Sequence, residues 1–335
     1  MGLGYWGPNL VRNLISVDTC TGVVVCDTDQ ERVKTVQNTY PGTAGTCLYE
    51  EVLADPDVEA VIIATPVATH AELAASALEA GKSTLVEKPL AASARDASRL
   101  IDLARENDVL VMAGHTFLYS PPVRTVSRLL QQGQVGIPLY VQSSRVNLGI
   151  HQSDVSVLWD LAPHDLSILF EWLQEEPVQV SAIGRTSFGG SPDVAFIDLA
   201  FPSGCIANLH LSWLAPTKLR RTTLVGTRRM VVYEDTNPEE PVKVYDKGVT
   251  DPDPQNFLEY KMTYRTGAVV SPFIESVEPL HAELEDFLGR VSRHEMPGRQ
   301  EEAATSVVAT IEKAEESLRA HGAPQSLSNP ARAMA

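Results

Sequence analysis

Gly2-Leu3-Gly4-Tyr5-Trp6-Gly7 opens the chain and restricts its fold more than any other stretch. The spacing G-x-G-x-x-G belongs to a tight turn from a parallel strand into a helix that cradles a dinucleotide pyrophosphate. Gly2 permits the turn, Gly4 lets the backbone approach the phosphates, and Gly7 lets the helix close on the sheet. The helix N-terminus then offers unpaired N–H groups and a positive dipole end to the anion. Pro8 suits a first helical turn, where its missing N–H costs nothing. Leu10, Val11, Leu14 and Ile15 follow on one helical face. Tyr5 and Trp6, inside the turn, are counted with the three glycines as cofactor-binding candidates. The motif requires a strand ahead of it, and only Met1 precedes Gly2. Either the chain starts a few residues late, or the sheet lacks its first strand.

An apolar run, Val23-Val24-Val25-Cys26, ends in Asp27, twenty residues after Gly7. Dinucleotide folds place there the carboxylate that binds the adenine-ribose hydroxyls. A carboxylate repels a 2′-phosphate, so the spacing favours NAD over NADP. The competing reading makes Asp27 the cap of the next helix, near Asp29.

At 335 residues the chain is long enough for two domains. Strand and helix alternate through the first third: strands at Ala60–Ala64, Ser83–Glu87 and Val109–Ala113, helices at Thr69–Ala80 and Ala94–Glu106. Such alternation implies a parallel sheet covered on both faces. Pro121-Pro122 marks a crossing, so the expected division is a cofactor domain over 1–121 and a second domain over 122–330. In the second, strands are expected near Leu139–Val146, Val178–Thr186, Val194–Phe201, Ile206–Trp213, Arg220–Val225, Met230–Tyr233 and Val242–Tyr245. Alternation such as Asn208-Leu209-His210-Leu211-Ser212-Trp213 predicts a large, open, mostly antiparallel sheet with two unlike faces. Helices are expected near Val123–Gln132, Asp154–Leu173, Pro279–Val291 and Glu301–Arg319, and loops over Asp235–Pro241 and Thr250–Pro272.

A net charge of −16 argues against nucleic acid or an anionic membrane surface as a partner. The four cysteines form no C-x-x-C pair, which predicts a reduced, cytoplasmic protein without structural zinc; no metal ligands are assigned.

Lys88 follows the strand end at Glu87, where open parallel sheets bind ligands. A lysine there can hold a substrate oxygen as negative charge develops on it. Further on, Trp159-Asp160-Leu161-Ala162-Pro163-His164-Asp165 sets a carboxylate and an imidazole four residues apart, on one face if the segment is helical. An imidazole accepts a hydroxyl proton near neutral pH, and a carboxylate beside it orients it. Pro163 allows an alternative, with Asp160 in the turn before a helix and Pro163 in its first turn. Arg145 and Asn147, at a strand end, and Tyr264, in a loop, are the substrate candidates. Lys218, Arg220 and Arg221 form a basic cluster that reads more simply as a solvated face.

Taken together, the Gly2–Gly7 turn, Asp27, Ala64-Thr65-Pro66 with His70, Glu87-Lys88-Pro89 and the Asp160…His164 pair resemble the Gfo/Idh/MocA family of NAD(P)-dependent oxidoreductases over nearly the whole chain. The resemblance implies an N-terminal Rossmann domain and a C-terminal α/β domain with an open antiparallel sheet. It implies that Lys88, Asp160 and His164 are the catalytic trio, with His164 also meeting substrate. Thr65, Pro66, His70 and Glu87 would line the nicotinamide half of the cofactor site, and His115 would approach the nicotinamide or substrate. Ala162 stands where the family pattern has Gly, a small-for-small exchange. Similarity to members acting on sugars, often nucleotide-linked aminosugars, includes Tyr264-Arg265-Thr266-Gly267 and Val270-Ser271-Pro272. The implied activity is hydride transfer between NAD and a secondary alcohol or ketone of a sugar, nucleotide-sugar or cyclitol, by a homodimer or homotetramer. Two alternatives share the fold: an NAD-dependent glycosidase and a non-catalytic, cofactor-binding regulator.

Overall fold

The computed structural model describes residues 1–149, 155–188, 190–250 and 263–327. In chain order the first elements are α1 (Gly7–Ser16), β1 (Val24–Cys26), α2 (Gln30–Thr39), β2 (Ala44–Thr46), α3 (Tyr49–Ala54), β3 (Ala60–Ile63), α4 (His70–Glu79), β4 (Ser83–Glu87), α5 (Ala94–Glu106) and β5 (Val111–Gly114). Then come α6 (Pro121–Gln131), β6 (Pro138–Leu148), α7 (Val157–Leu173), β7 (Gln179–Arg185), β8 (Val194–Ala200), β9 (Ile206–Ser212) and β10 (Leu214–Gly226). The chain closes with β11 (Met230–Glu234), β12 (Val242–Thr250), β13 (Thr263–Val270), α8 (Pro279–Ser292), α9 (Arg299–Arg319) and β14 (Gln325–Ser326).

Two compact units result: Met1–Ser120 with Val277–Ala309, and Pro121–Ser276 with Thr310–Ala335. The sequence assigns 122–330 to one domain, yet Val277–Ala309 belongs to the first unit. Packing explains the difference. Leu280, Leu284 and Phe287 of α8 share a core with Leu10 of α1, Leu85 of β4 and Met112 of β5. Helical periodicity marks a face to be buried, but not which sheet will bury it.

In the first unit every strand pair is parallel, β1 with β2 and β3 with β4 with β5. Met1 and Gly2 join the two sets. The Met1 nitrogen donates to the Ile62 carbonyl at 2.7 Å. The Met1 carbonyl accepts from Ala64 N–H at 2.8 Å, and Gly2 N–H donates to the Cys26 carbonyl at 2.9 Å. Met1 and Gly2 thus bridge β1 and β3. Serine and aspartate caps set the helix starts: Ser93 accepts from Asp96 N–H at α5, and Asp29 accepts from Glu31 N–H at α2.

The second unit carries a nine-stranded sheet in the order β13-β12-β11-β10-β6-β9-β8-β7-β14. Among the described residues its one parallel pairing is β6 with β9, and the rest are antiparallel. Leu166, Ile168, Leu169 and Trp172 of α7 are buried, and the Trp172 indole donates to the Val123 carbonyl at 3.1 Å. The expected loop over Thr250–Pro272 is partly strand: Thr263–Val270 pairs with β12, Tyr264 opposite Val249. Asp154, the expected helix start, and residues 251–262 lie outside the described residues.

Candidate active site

In the first unit the glycine turn has the shape of an anion cradle. Gly2 has φ +91°, and a Cβ on it would lie 2.6 Å from the Ala64 carbonyl oxygen. A Cβ on Gly7 would lie 2.5 Å from the Gly2 carbonyl oxygen, so the turn and the helix touch backbone to backbone. Gly4 meets nothing within 4 Å, which leaves the space that a pyrophosphate requires. No side chain caps α1 at Trp6; Pro8 has no N–H and Asn9 N–H is taken by the Trp6 carbonyl at 3.0 Å, which leaves the Gly7 N–H of the first turn for an anion. Tyr5 and Trp6 stand exposed at this turn, ring edge against face, with centroids 5.7 Å apart.

Asp27 is not the helix cap; Asp29 is. The Asp27 carboxylate is buried and receives Leu3 N–H at 2.7 Å and Asp29 N–H at 2.9 Å, one on each oxygen. This grip fixes the carboxylate beside the turn and leaves each oxygen a second lone pair for a ribose hydroxyl. Arg32, which sequence reasoning passed over, stands 3.8 Å from it.

The ends of β3, β4 and β5 hold the remaining candidates of this unit. Glu87 is buried at the end of β4, and burial pushes its carboxyl up to about 7, opposed by the Lys88 charge and the Lys88 N–H. Lys88 follows, half-buried. His115, just after β5, is buried with neither ring nitrogen hydrogen-bonded. Burial lowers its pKa to about 4, with the Lys88 charge second, so it is a neutral imidazole at physiological pH.

His70 differs from the expectation. It is buried, and its Nδ1 lies 2.9 Å from the Pro89 carbonyl and its Nε2 2.9 Å from the Thr65 carbonyl. Burial pulls its pKa down more than the two carbonyls raise it. His70 ties the Thr65-Pro66 turn to the chain beyond Lys88 and offers no ring nitrogen to a ligand. Thr65 is held in turn by the Thr69 hydroxyl at 2.8 Å.

Sequence reasoning missed Glu283. This α8 residue is fully buried; its Oε2 accepts from the Thr116 hydroxyl at 2.7 Å, and its Oε1 has no partner. Burial, with the Glu87 and Asp286 charges, pushes its pKa up to about 8. A glutamate among the hydrophobic repeats of a distant helix gives no signal until the helix is docked.

In the second unit, α7 begins at Val157, so Pro163 lies inside the helix and not in its first turn. Asp160 and His164 lie one turn apart on its half-buried face, while Ala162, Pro163 and Asp165 are buried. The Trp213 indole donates to Asp160 Oδ2 at 3.1 Å.

Arg145, expected to meet substrate, is turned into the core. Its Nε donates to Asp165 Oδ2 at 2.8 Å and its Nη2 to Asp165 Oδ1 at 3.2 Å, and both residues are buried. Ser143 adds a hydroxyl to Asp165 at 2.9 Å. This cluster locks β6 to α7 and so fixes the helix that carries Asp160 and His164. Asn147, two residues beyond Arg145 on the same sheet face, is half-buried. Tyr264 is exposed on strand β13, not in a covering loop. Arg220 pairs with Asp235 at 3.0 Å.

Residues 1–115 match the profile described as oxidoreductase family, NAD-binding Rossmann fold, and residues 123–232 match the GFO/IDH/MocA C-terminal domain. The chain belongs to the Gfo/Idh/MocA family. It is an oxidoreductase, and its cofactor is NAD. Among its relatives, UDP-N-acetylglucosamine 3-dehydrogenase of Acidithiobacillus ferrooxidans is 28% identical over 71% of this chain and 72% of its own. The NAD-dependent scyllo-inositol 2-dehydrogenase of Bacillus subtilis is 28% identical over 64% of this chain and 67% of its own. A solved structure of the Acidithiobacillus ferrooxidans enzyme superposes with a TM-score of 0.81 at 25% identity, covering 96% of both chains. Among the described residues, no helix is long and apolar enough to cross a membrane.

Proposed function

We propose that this protein moves a hydride between NAD and a secondary alcohol or ketone of a sugar, nucleotide-sugar or cyclitol. The observation that carries the reading is α7, which exposes Asp160 and His164 on one face of a helix otherwise mostly buried. In the oxidation direction His164 accepts the hydroxyl proton as the carbon–hydrogen bond breaks and the carbonyl forms. Bound NAD supplies the hydride acceptor, at C4 of its nicotinamide. Lys88 holds the reacting oxygen, and its charge stabilises the alkoxide character that develops there. Asp160 supports His164 or the substrate. The neutral His115 keeps a second positive charge away from the cationic nicotinamide ring. The names of these relatives favour a sugar or cyclitol substrate.

The test is NADH formation with a panel of sugar nucleotides, free sugars and cyclitols. His164→Asn is expected to lower turnover about 10²- to 10⁴-fold and to remove an ionisation from the pH–rate profile. Lys88→Met is expected to lower turnover sharply with little change in NAD affinity. Parent-like turnover and pH profile in both variants would overturn these roles.

We further infer a cytoplasmic homodimer or homotetramer. Tyr140, Ile183, Phe196 and Ile206, on four strands of the nine-stranded sheet, remain exposed within one chain. A monomer by light scattering at micromolar concentration would count against the assembly.

A further inference from the structure

Two acids meet at the carboxyl ends of β4 and β5, inside the first unit. Glu87 ends β4 opposite Gly114 of β5. A Cβ on Gly114 would lie 3.2 Å from the Glu87 Cα and 3.5 Å from its carboxyl carbon, so the Glu87 side chain folds across the glycine. Two residues after Gly114, the Thr116 hydroxyl donates to Glu283 Oε2 at 2.7 Å. Both carboxyls therefore close on the same short stretch, Gly114-His115-Thr116, and both are buried.

The groups around Glu283 favour its protonated form. Glu87 from β4 and Asp286, one turn along α8, both act to keep the proton on. His115 is neutral at physiological pH, and Lys88 acts on His115 and on Glu87. Tyr119 donates to Asp286 at 2.7 Å. Elsewhere on α8, Arg12 of α1 is paired with Glu278, and Arg290 with Glu301 of α9. Thr116 commits Oε2 as an acceptor while Oε1 has no partner, so a proton held by Glu283 sits on Oε1. Two buried carboxyls drawn to one strand end resist ionising together. Their raised values, about 7 for Glu87 and about 8 for Glu283, fit one retained proton near neutral pH.

We propose that Glu283, with Glu87, is a proton site coupled to the redox state of the cofactor: the pair holds a proton in the free protein, releases it when oxidised NAD binds and keeps it when reduced NAD binds. The proposal rests on the hydride-transfer reading above. There Lys88 holds the oxygen of the carbon that gives up its hydride, so the nicotinamide ring stands beside Lys88 and the two acids. The oxidised ring carries a positive charge and the reduced ring none. A cation beside a buried protonated acid favours its ionised form. The proton leaves to solvent, and the carboxylate left behind balances the ring charge. Glu283 touches neither reacting atom in this scheme; it sets the charge of the pocket through Glu87 and Thr116.

Calorimetric titration with oxidised and with reduced NAD, in two buffers of unlike ionisation enthalpy, counts the protons. A downward shift of one pH unit at Glu283 releases about half a proton at pH 7.5. It also tightens oxidised NAD about fivefold between pH 6.5 and 8.5, because the form that binds best is the one that has lost its proton. Reduced NAD is expected to release close to none. Glu283→Gln should remove most of the release and flatten the affinity slope, whereas His164→Asn should keep both. On the parent protein, infrared difference spectra should show oxidised NAD abolishing the carbonyl stretch of a protonated carboxyl, a readout that needs no variant. No release with either form, or equal release with both, would overturn the proposal. Release that persists in Glu283→Gln would overturn the assignment to Glu283. NADH formation from a sugar without proton release would sink this inference and leave the hydride-transfer reading standing. Proton release with no NADH formed from any sugar or cyclitol would do the reverse.

Discussion

Two clusters, one in each unit, treat buried charge in opposite ways. In the second, Arg145 and Asp165 are buried together with two hydrogen bonds between them, and Ser143 adds a third to the carboxylate. In the first, Glu87, His115 and Glu283 are buried too, but neither ring nitrogen of His115 has a hydrogen-bond partner and Glu283 has one oxygen unpaired. The protein answers burial with a counter-ion in one case and with a shifted pKa in the other. A buried pair held by two hydrogen bonds is scaffold: it fixes β6 against α7. A buried group held near neutrality is available for proton or charge chemistry, and such groups concentrate at functional sites. The contrast separates Arg145, which the sequence offered as a substrate contact, from Glu283, which it did not offer at all.

Breaking the paired cluster is expected to have the larger effect. Asp165→Ala leaves the Arg145 guanidinium buried without its counter-ion, a loss of about 3–5 kcal/mol on urea unfolding. A loss below about 1 kcal/mol would mean that the pair adds little to the scaffold. Asp165→Ala with Arg145→Met should recover much of the loss, because no charge then remains to be buried.

The unpaired cluster should show itself through pH. The Glu283 carboxyl is raised by burial to about 8 in the folded chain, against the ordinary carboxylate value of 4.5 when unfolded. Between those values the folded chain holds a proton that the unfolded chain has released. Stability therefore falls as pH rises through that interval and levels once the folded group ionises. Glu87, raised to about 7, adds a slope of the same sign over a narrower range. His115, lowered to about 4, acts in the opposite sense: stability falls as pH drops below its ordinary 6.5. Glu283→Gln is expected to flatten the decline between about pH 5 and 8 and to leave stability near pH 5 close to the parent's. Parallel stability–pH curves for the two proteins would show that Glu283 does not carry this proton.

Much of the fold was legible because it rests on local rules. Ser83–Glu87 and Ala94–Glu106 were bounded in the sequence as the structure has them. The glycine turn was readable because Gly2 and Gly7 each answer a steric demand, a positive φ at one and a backbone contact at the other. The short β2 and α3 were not read, since three and six residues carry too little periodicity to register. Thr263–Val270 was mistaken for loop because an edge strand exposed along its length has no buried face to impose alternation.

Side-chain destinations were less legible than elements. His70 and His115 look alike in sequence, a histidine near a strand end. One is held by two carbonyls and the other by none, and only the neighbouring loops decide which. Arg145 sits on the face of β6 that meets α7, a fact fixed by the helix laid across it and not by the strand itself.

By itself the sequence determined the two folding grammars, the glycine turn, Asp27 as the carboxylate beside it, and the one-turn spacing of Asp160 and His164. Those features depend on residues near one another in the chain, where steric rules and helical period act directly. Tertiary structure alone decided that Val277–Ala309 returns to the first unit, that Glu283 is buried beneath the strand ends, and that Arg145 is locked to Asp165. Each of these depends on which surfaces meet across long chain separations, and burial acquires its sign, as scaffold or as shifted proton affinity, only once they have met.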